Sequence, residues 1–151
     1  MSTLFERILS GELKSWKVWE DNDYLAFLTP FPNTIGVTVV IPKSDVGNYV
    51  FDLKENDYQG LLGAARTVAK ILEKALGVSR VAMVFEGTGV AYVHAKLYPL
   101  HGNLADETNI WSKHFEFHPE YLGYITTVEG PKVSDEELDR VQERILNIQE
   151  K

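Results

Sequence analysis

Between Val90 and Gly102 the chain reads Val-Ala-Tyr-Val-His-Ala-Lys-Leu-Tyr-Pro-Leu-His-Gly. Tyr92, His94, Lys96 and Tyr98 alternate with Val93, Ala95 and Leu97. On a strand this period of two sends the polar groups to one face and the apolar ones to the other. A histidine and a lysine two positions apart on such a face can converge on one phosphate. A neutral imidazole, with a pKa of about 6.5, is a nucleophile at neutral pH, while a lysine at about 10.4 stays charged beside it. Nucleophilic attack and electrostatic stabilisation are thus placed side by side. A lysine that keeps its charge can clamp phosphate oxygens but is a poor proton donor unless desolvated.

The remaining candidates are sparser. His101, His114 and His118 are scattered and lack metal-ligand spacing with acids, so no metal is expected. Absent cysteines exclude disulfides, thiolate metal sites and cysteine nucleophiles. Gly87-Thr88-Gly89 joins a strand to a strand rather than opening a helix, which is not a dinucleotide fingerprint; no cofactor is expected. Trp111, Phe115 and Phe117 read as packing residues.

The elements that must position His94 and Lys96 follow from periodicity. Leu4, Phe5, Ile8 and Leu9 predict a short helix over residues 3–10, stopped by Gly11. Strands are predicted at Lys17–Glu20 and Tyr24–Thr29, separated by Asp21-Asn22-Asp23, and at Val37–Pro42 after a Pro- and Gly-containing loop. Residues 54–76 carry one wide apolar stripe, from Tyr58 through Leu61, Leu62, Ala65, Val68, Ala69 and Leu72 to Leu76, ended by Gly77. Strands at Arg80–Glu86 and Tyr92–Tyr98 come next, joined so tightly that they must pair antiparallel. A last helix opens at Ser134, with Glu137 three residues on as a capping box, and runs to about Gln149. This order lacks regular βαβ alternation and predicts an α+β fold: a mostly antiparallel five- to six-stranded sheet, one long helix on a face, and a C-terminal helix.

The 151 residues, 44% hydrophobic and 25% charged, suit one domain over 1–151, with no repeat or linker. A formal charge of −7 argues against broad contact with nucleic acid or anionic membrane, though not against one anionic ligand in a local basic pocket. The N-terminal residues show no signal pattern and no apolar run nears membrane-spanning length, so a cytoplasmic protein is expected.

Together these motifs resemble the histidine triad (HIT) superfamily of nucleotide hydrolases and transferases. Its signature is three histidines alternating with apolar residues, followed by an apolar pair and often proline. Were His94 the first of the three, Lys96 would replace the nucleophile. With Tyr92 in the first place, His94 is the middle histidine, Lys96 the third, and Leu97-Tyr98-Pro99 matches the ending; this second register also fits Val90 and the upstream glycines. Phe5–Glu12 is similar to the family's opening helix, and Trp19-Glu20-Asp21, Ala26-Phe27-Leu28 and Gly36–Lys43 to its first strands. The likeness covers about 4–102 and leaves 103–151 as an irregular and helical extension.

The resemblance implies that His94 attacks the α-phosphorus of a nucleotide, forming a nucleotidyl-histidine that water hydrolyses. It gives Lys96 the phosphate's charge to stabilise and Tyr92 an orienting role by hydrogen bonding. Val37 stands where many relatives carry a further histidine, and Thr29 where an acid or asparagine often binds the ribose. Phe5, Ile8 and Phe27 would line a base pocket, and Thr88 and Gly89 would approach phosphate. A small-molecule nucleotide as partner and a homodimer are likewise implied. Two functions are consistent with these residues: a hydrolase or nucleotidyl transferase acting on a dinucleoside polyphosphate or nucleoside phosphoramidate, and a nucleotide-binding module with little turnover. The retained His94 favours the first.

Overall fold

The protein is described from a computed structural model, which defines residues 1–106, 108 and 110–149. The chain forms two compact units, Met1–Thr108 and Asn109–Lys151.

In the first unit, helix α1 (Leu4–Leu9) begins with a complete capping box. The Thr3 hydroxyl accepts from the Glu6 N–H at 3.2 Å, and the Glu6 carboxylate accepts from the Thr3 N–H at 2.6 Å. Strands β1 (Trp16–Glu20) and β2 (Tyr24–Leu28) are joined by the predicted Asp-Asn-Asp turn. There the Asp21 carboxylate accepts from the N–H groups of Asp23 and Tyr24, at 2.9 and 2.7 Å. Strand β3 (Thr38–Pro42) is buried at every position. A 3-10 turn at Val50–Asp52 leads into helix α2 (Glu55–Leu76), which Gly77 closes in the left-handed conformation at φ 66°. Strands β4 (Val81–Val84) and β5 (Ala95–Pro99) and a short helix α3 (Asn103–Asp106) complete the unit.

The five strands form one antiparallel sheet in the order β1-β2-β3-β5-β4. Its two faces have different tasks. On one, Ala26, Val40, Val93, Ala95 and Leu97 pack against Leu61, Ala65, Val68 and Leu72 of α2. On the other, Leu25, Phe27, Val39 and Ile41 cluster with Phe5 of α1 and with Tyr92. The alternation in 92–98 thus does what a period of two requires: its apolar members face α2, and its polar members lie on the opposite face.

The strand itself is shorter than the alternation. Tyr92–Tyr98 is the predicted span, yet the ladder starts at Ala95, paired with Val40. The reason lies in the partner strand. β3 ends at Pro42, which has no N–H to donate. The preceding segment finds other partners, the Val93 N–H donating to the Gly47 carbonyl at 2.8 Å. β4 likewise ends at Val84, opposite Lys96, before the predicted Glu86.

In the second unit, helix α4 (Asp135–Gln149) has three acidic residues in its first turn, favourable at the positive end of the helix dipole. Half of the predicted capping box forms. The Ser134 hydroxyl accepts from the Glu137 N–H at 3.2 Å, whereas the Glu137 carboxylate pairs with Arg140. Upstream, the Glu116 N–H donates to the Glu129 carbonyl at 2.9 Å.

Candidate active site

The His94 side chain is 3% exposed and locked at both ends. Its Nδ1 lies 2.7 Å from the carbonyl oxygen of Tyr92. A carbonyl only accepts, so Nδ1 carries the ring proton and donates, leaving Nε2 with its lone pair. The Phe5 ring meets the imidazole edge-on at a centroid distance of 5.0 Å and fixes its plane. Burial pushes the His94 pKa below 6.5, assisted by the Lys96 charge and opposed by the Tyr92 carbonyl and Glu86. The ring is therefore neutral, the state a nucleophile needs.

Nε2 points at a residue that the alternation does not contain. Glu86 Oε1 lies 3.5 Å from Nε2 and 2.9 Å from Lys96 Nζ. The other carboxylate oxygen accepts from the Thr88 N–H at 3.3 Å and from the Thr88 hydroxyl. Burial alone would raise the Glu86 pKa, but Thr88 and Lys96 together outweigh it and bring it down to about 2. Glu86 is thus ionised at any physiological pH.

Lys96 also belongs to a cleft of about 320 Å³ whose other lining residues are Thr29, Phe31, Asn33, Val37, Val39 and Tyr98. That volume falls in the usual range for small-molecule sites. The cleft occupies the sheet face opposite α2, with Lys96 at the junction between it and His94. The arrangement offers a fixed imidazole nitrogen with a lone pair, a cation held through the shared Glu86 oxygen, and a recess of small-molecule size lined by that cation.

The family model for the HIT domain matches residues 10–100. The chain belongs to the HIT family. It is 30% identical over 130 residues to "Protein hit" of Bacillus subtilis, covering 82% of this chain and 89% of the relative. Among solved structures, a member of the HIT family from Bacillus subtilis aligns with a TM-score of 0.64 at 22% identity, over 97% of this chain and 96% of that one, a likeness of fold. A HIT family hydrolase from Legionella pneumophila aligns at a TM-score of 0.55 and 29% identity, over 64% of this chain and 91% of its own.

The HIT fold brings His94, Lys96 and Thr88 together, with the Gly89 backbone beside Glu86. It distributes the other expected residues differently. The Tyr92 side chain is fully buried, and its hydroxyl donates to the Pro42 carbonyl at 2.7 Å. Burial, assisted by Asp45 and Glu6, pushes its pKa up to about 12. The group that orients His94 is the backbone carbonyl of Tyr92, not its phenol. Phe5 and Phe27 are core residues, 4% and 3% exposed, with Ile8 packed against their cluster. The three do not line the cleft expected to hold a base; Phe31, Val37 and Val39 do, beside Thr29. The Thr29 hydroxyl is also within reach of the Phe31 N–H, at 3.2 Å.

Glu86 is the residue that sequence reasoning missed, although a signal existed. It closes the apolar run Val81–Phe85 just before Gly87-Thr88-Gly89, and antiparallel pairing of β4 with β5 carries it back toward His94. The other histidines prove less scattered than their spacing suggests. His101 Nε2 lies 2.8 Å from the Ile35 carbonyl, and Glu116 is shared by His114 at 2.8 Å and His118 at 3.4 Å. Among the described residues, no group of three or more His, Asp or Glu could hold a metal ion. No described helix is long and apolar enough to cross a membrane.

Proposed function

We propose that this HIT protein is a nucleotide hydrolase or nucleotidyl transferase that works through a covalent nucleotidyl-His94. The observation that carries the proposal is the Nδ1 contact to the Tyr92 carbonyl at 2.7 Å. It fixes the tautomer that leaves the lone pair on Nε2, 3.5 Å from the Glu86 oxygen that also holds the Lys96 ammonium.

In the first step Nε2 forms a bond to the α-phosphorus. The bond from phosphorus to the leaving group breaks, and the leaving group takes the electron pair: a polyphosphate departs as its anion, while a phosphoramidate nitrogen, having first taken a proton from solvent, departs as the neutral amine. In the second step a water oxygen bonds to phosphorus, the Nε2–phosphorus bond breaks with its pair returning to the ring, and a proton is lost to solvent. Lys96 stabilises the charge on the non-bridging oxygens throughout and shuttles no proton. The nucleoside occupies the cleft between Thr29 and Tyr98. The substrate is a dinucleoside polyphosphate or a nucleoside phosphoramidate. The same reading assigns Tyr92 a positioning role through its carbonyl, and Thr88 and Gly89 the approach to the phosphate side.

A homodimer belongs to this proposal. β4 is an edge strand with Ala82 and Met83 exposed, a surface on which a second sheet can be continued. Sedimentation at the 17.1 kDa monomer mass would remove this part.

A second reading, a nucleotide-binding module with little turnover, is favoured by one observation: the Glu86 carboxylate stands between Lys96 and His94. Incubation with a nucleotide panel separates the two. Release of nucleoside monophosphate by the wild type, and its loss in His94→Ala with nucleotide binding retained, is expected. Binding without release by either protein would leave the module.

A further inference from the structure

The Glu86 carboxylate is the ionised group beside His94 and Lys96 to which the reaction above gives no task. Its anchoring is specific. Oε2 is taken up by the Thr88 N–H and hydroxyl. The backbone next to it is pinned at Gly87, where φ is +65° and an added Cβ would lie 2.1 Å from the Asn48 carbonyl oxygen; only glycine fits there. Oε1 is in a different position. It is buried and makes no aligned hydrogen bond, with the Lys96 ammonium at 2.9 Å as an ion-pair partner and His94 Nε2 at 3.5 Å.

The Lys96 ammonium serves this buried oxygen, so a ligand that draws Lys96 away must bring a donor of its own or leave Oε1 unpaired, which is costly. A ligand that brings only a second anion supplies no such donor. The positive charge of Lys96 is already balanced by the negative charge of Glu86, so a polyphosphate entering here meets an uncompensated carboxylate. Oε1 also lies close to where phosphorus must sit for attack by Nε2, so it faces the atoms attached to that phosphorus.

We propose that Glu86 is a specificity-determining residue, whose Oε1 selects nucleotidyl substrates with an N–H or ammonium donor on the leaving group and discriminates against polyphosphate leaving groups. The inference rests on the reading of His94 as nucleophile for the position of the α-phosphate. Of the two substrate classes above it selects the nucleoside phosphoramidates. Once a substrate donor engages Oε1, the Lys96 ammonium is released to the α-phosphate oxygens.

The test compares kcat/KM for an adenosine phosphoramidate of a primary amine with that for diadenosine tetraphosphate, in the wild type and in Glu86→Gln. The glutamine keeps the size of the side chain and an oxygen for Thr88 but removes the charge. The wild type is expected to favour the phosphoramidate, and Glu86→Gln to move the ratio toward the tetraphosphate by about tenfold or more, the effect of one nearby like charge. An unchanged ratio, or a wild type that favours the tetraphosphate, overturns the proposal. Dissociation constants for both compounds, measured with His94→Ala and with His94→Ala/Glu86→Gln, supply a readout without turnover. If their ratio shifts although the wild type cleaves neither compound, Glu86 keeps its role and the nucleophile reading fails. If it does not shift, Glu86 is a structural ion-pair partner only.

Discussion

Replacing Tyr92 by phenylalanine separates the two roles that can be given to this side chain. Its hydroxyl is fully buried and donates to the Pro42 carbonyl at 2.7 Å, at the end of β3. Pro42 is equally buried, so the substitution leaves its carbonyl oxygen without this donor. The ring keeps its size and its edge-on contact with Phe5, at a centroid distance of 5.8 Å, so no cavity term adds to the loss. Leaving a buried carbonyl unpaired costs about 1–3 kcal/mol, which lowers the melting midpoint of a unit of this size by roughly 4–15 °C. The imidazole is held by the Tyr92 backbone rather than by the phenol, so turnover per folded molecule should stay unchanged. Thermal denaturation followed by circular dichroism, with kcat measured well below the midpoint, reads both quantities. A variant as stable as the wild type but strongly impaired in turnover would refute the reasoning, because the phenol would then act at the phosphate and not in the core.

Lys96→Ala should lower turnover by roughly 10²–10³ and weaken nucleotide binding as well, the loss of one preorganised charge; Lys96→His should recover rate most for poor leaving groups, since histidine donates a proton near neutral pH. Steady-state kinetics over leaving groups of graded basicity would expose the error if both variants matched the wild type. Because burial lowers the His94 pKa, the neutral ring persists below pH 6.5 and rate is lost only as pH falls through the lowered value. An acid limb of kcat/KM centred at or above 6.5 contradicts this. The same shift makes the folded state bind protons less readily than the unfolded chain, so His94 subtracts stability below 6.5 and the loss disappears as pH rises through that window. Leu61, 1% exposed at the centre of the α2 stripe, should cost about 2–5 kcal/mol on truncation to alanine; denaturant unfolding that registers no loss would mean that α2 does not bury this stripe against the sheet.

The parts of the structure legible in the sequence are those governed by period. The stripe from Leu61 to Leu72 announced α2, Gly77 its end, and the alternation in 92–98 the polar face that carries His94 and Lys96. Boundaries that depend on a partner were not legible. β5 begins at Ala95 because β3 runs out of donors at Pro42, a fact about register and not about residues 92–94. Side-chain destinations were hidden for the same reason. Phe5 and Phe27 suit a base pocket or a core equally well, and the approach of α1 to the sheet puts them in the core, 5.7 Å apart. Glu86 escaped notice because a lone glutamate before a glycine loop reads as solvated. Only the β4–β5 pairing and the Thr88 anchor turn it inward.

The central claim is that His94 becomes covalently nucleotidylated. The direct measurement is a rapid quench of the wild type with a substrate labelled in its α-phosphate, followed by proteolysis and mass spectrometry. Transient label on the peptide containing His94, stable to alkali, lost in mild acid and absent from His94→Ala, is the expected result. Nucleoside monophosphate released at full rate with label on no residue, or with label on a residue other than His94, would contradict it.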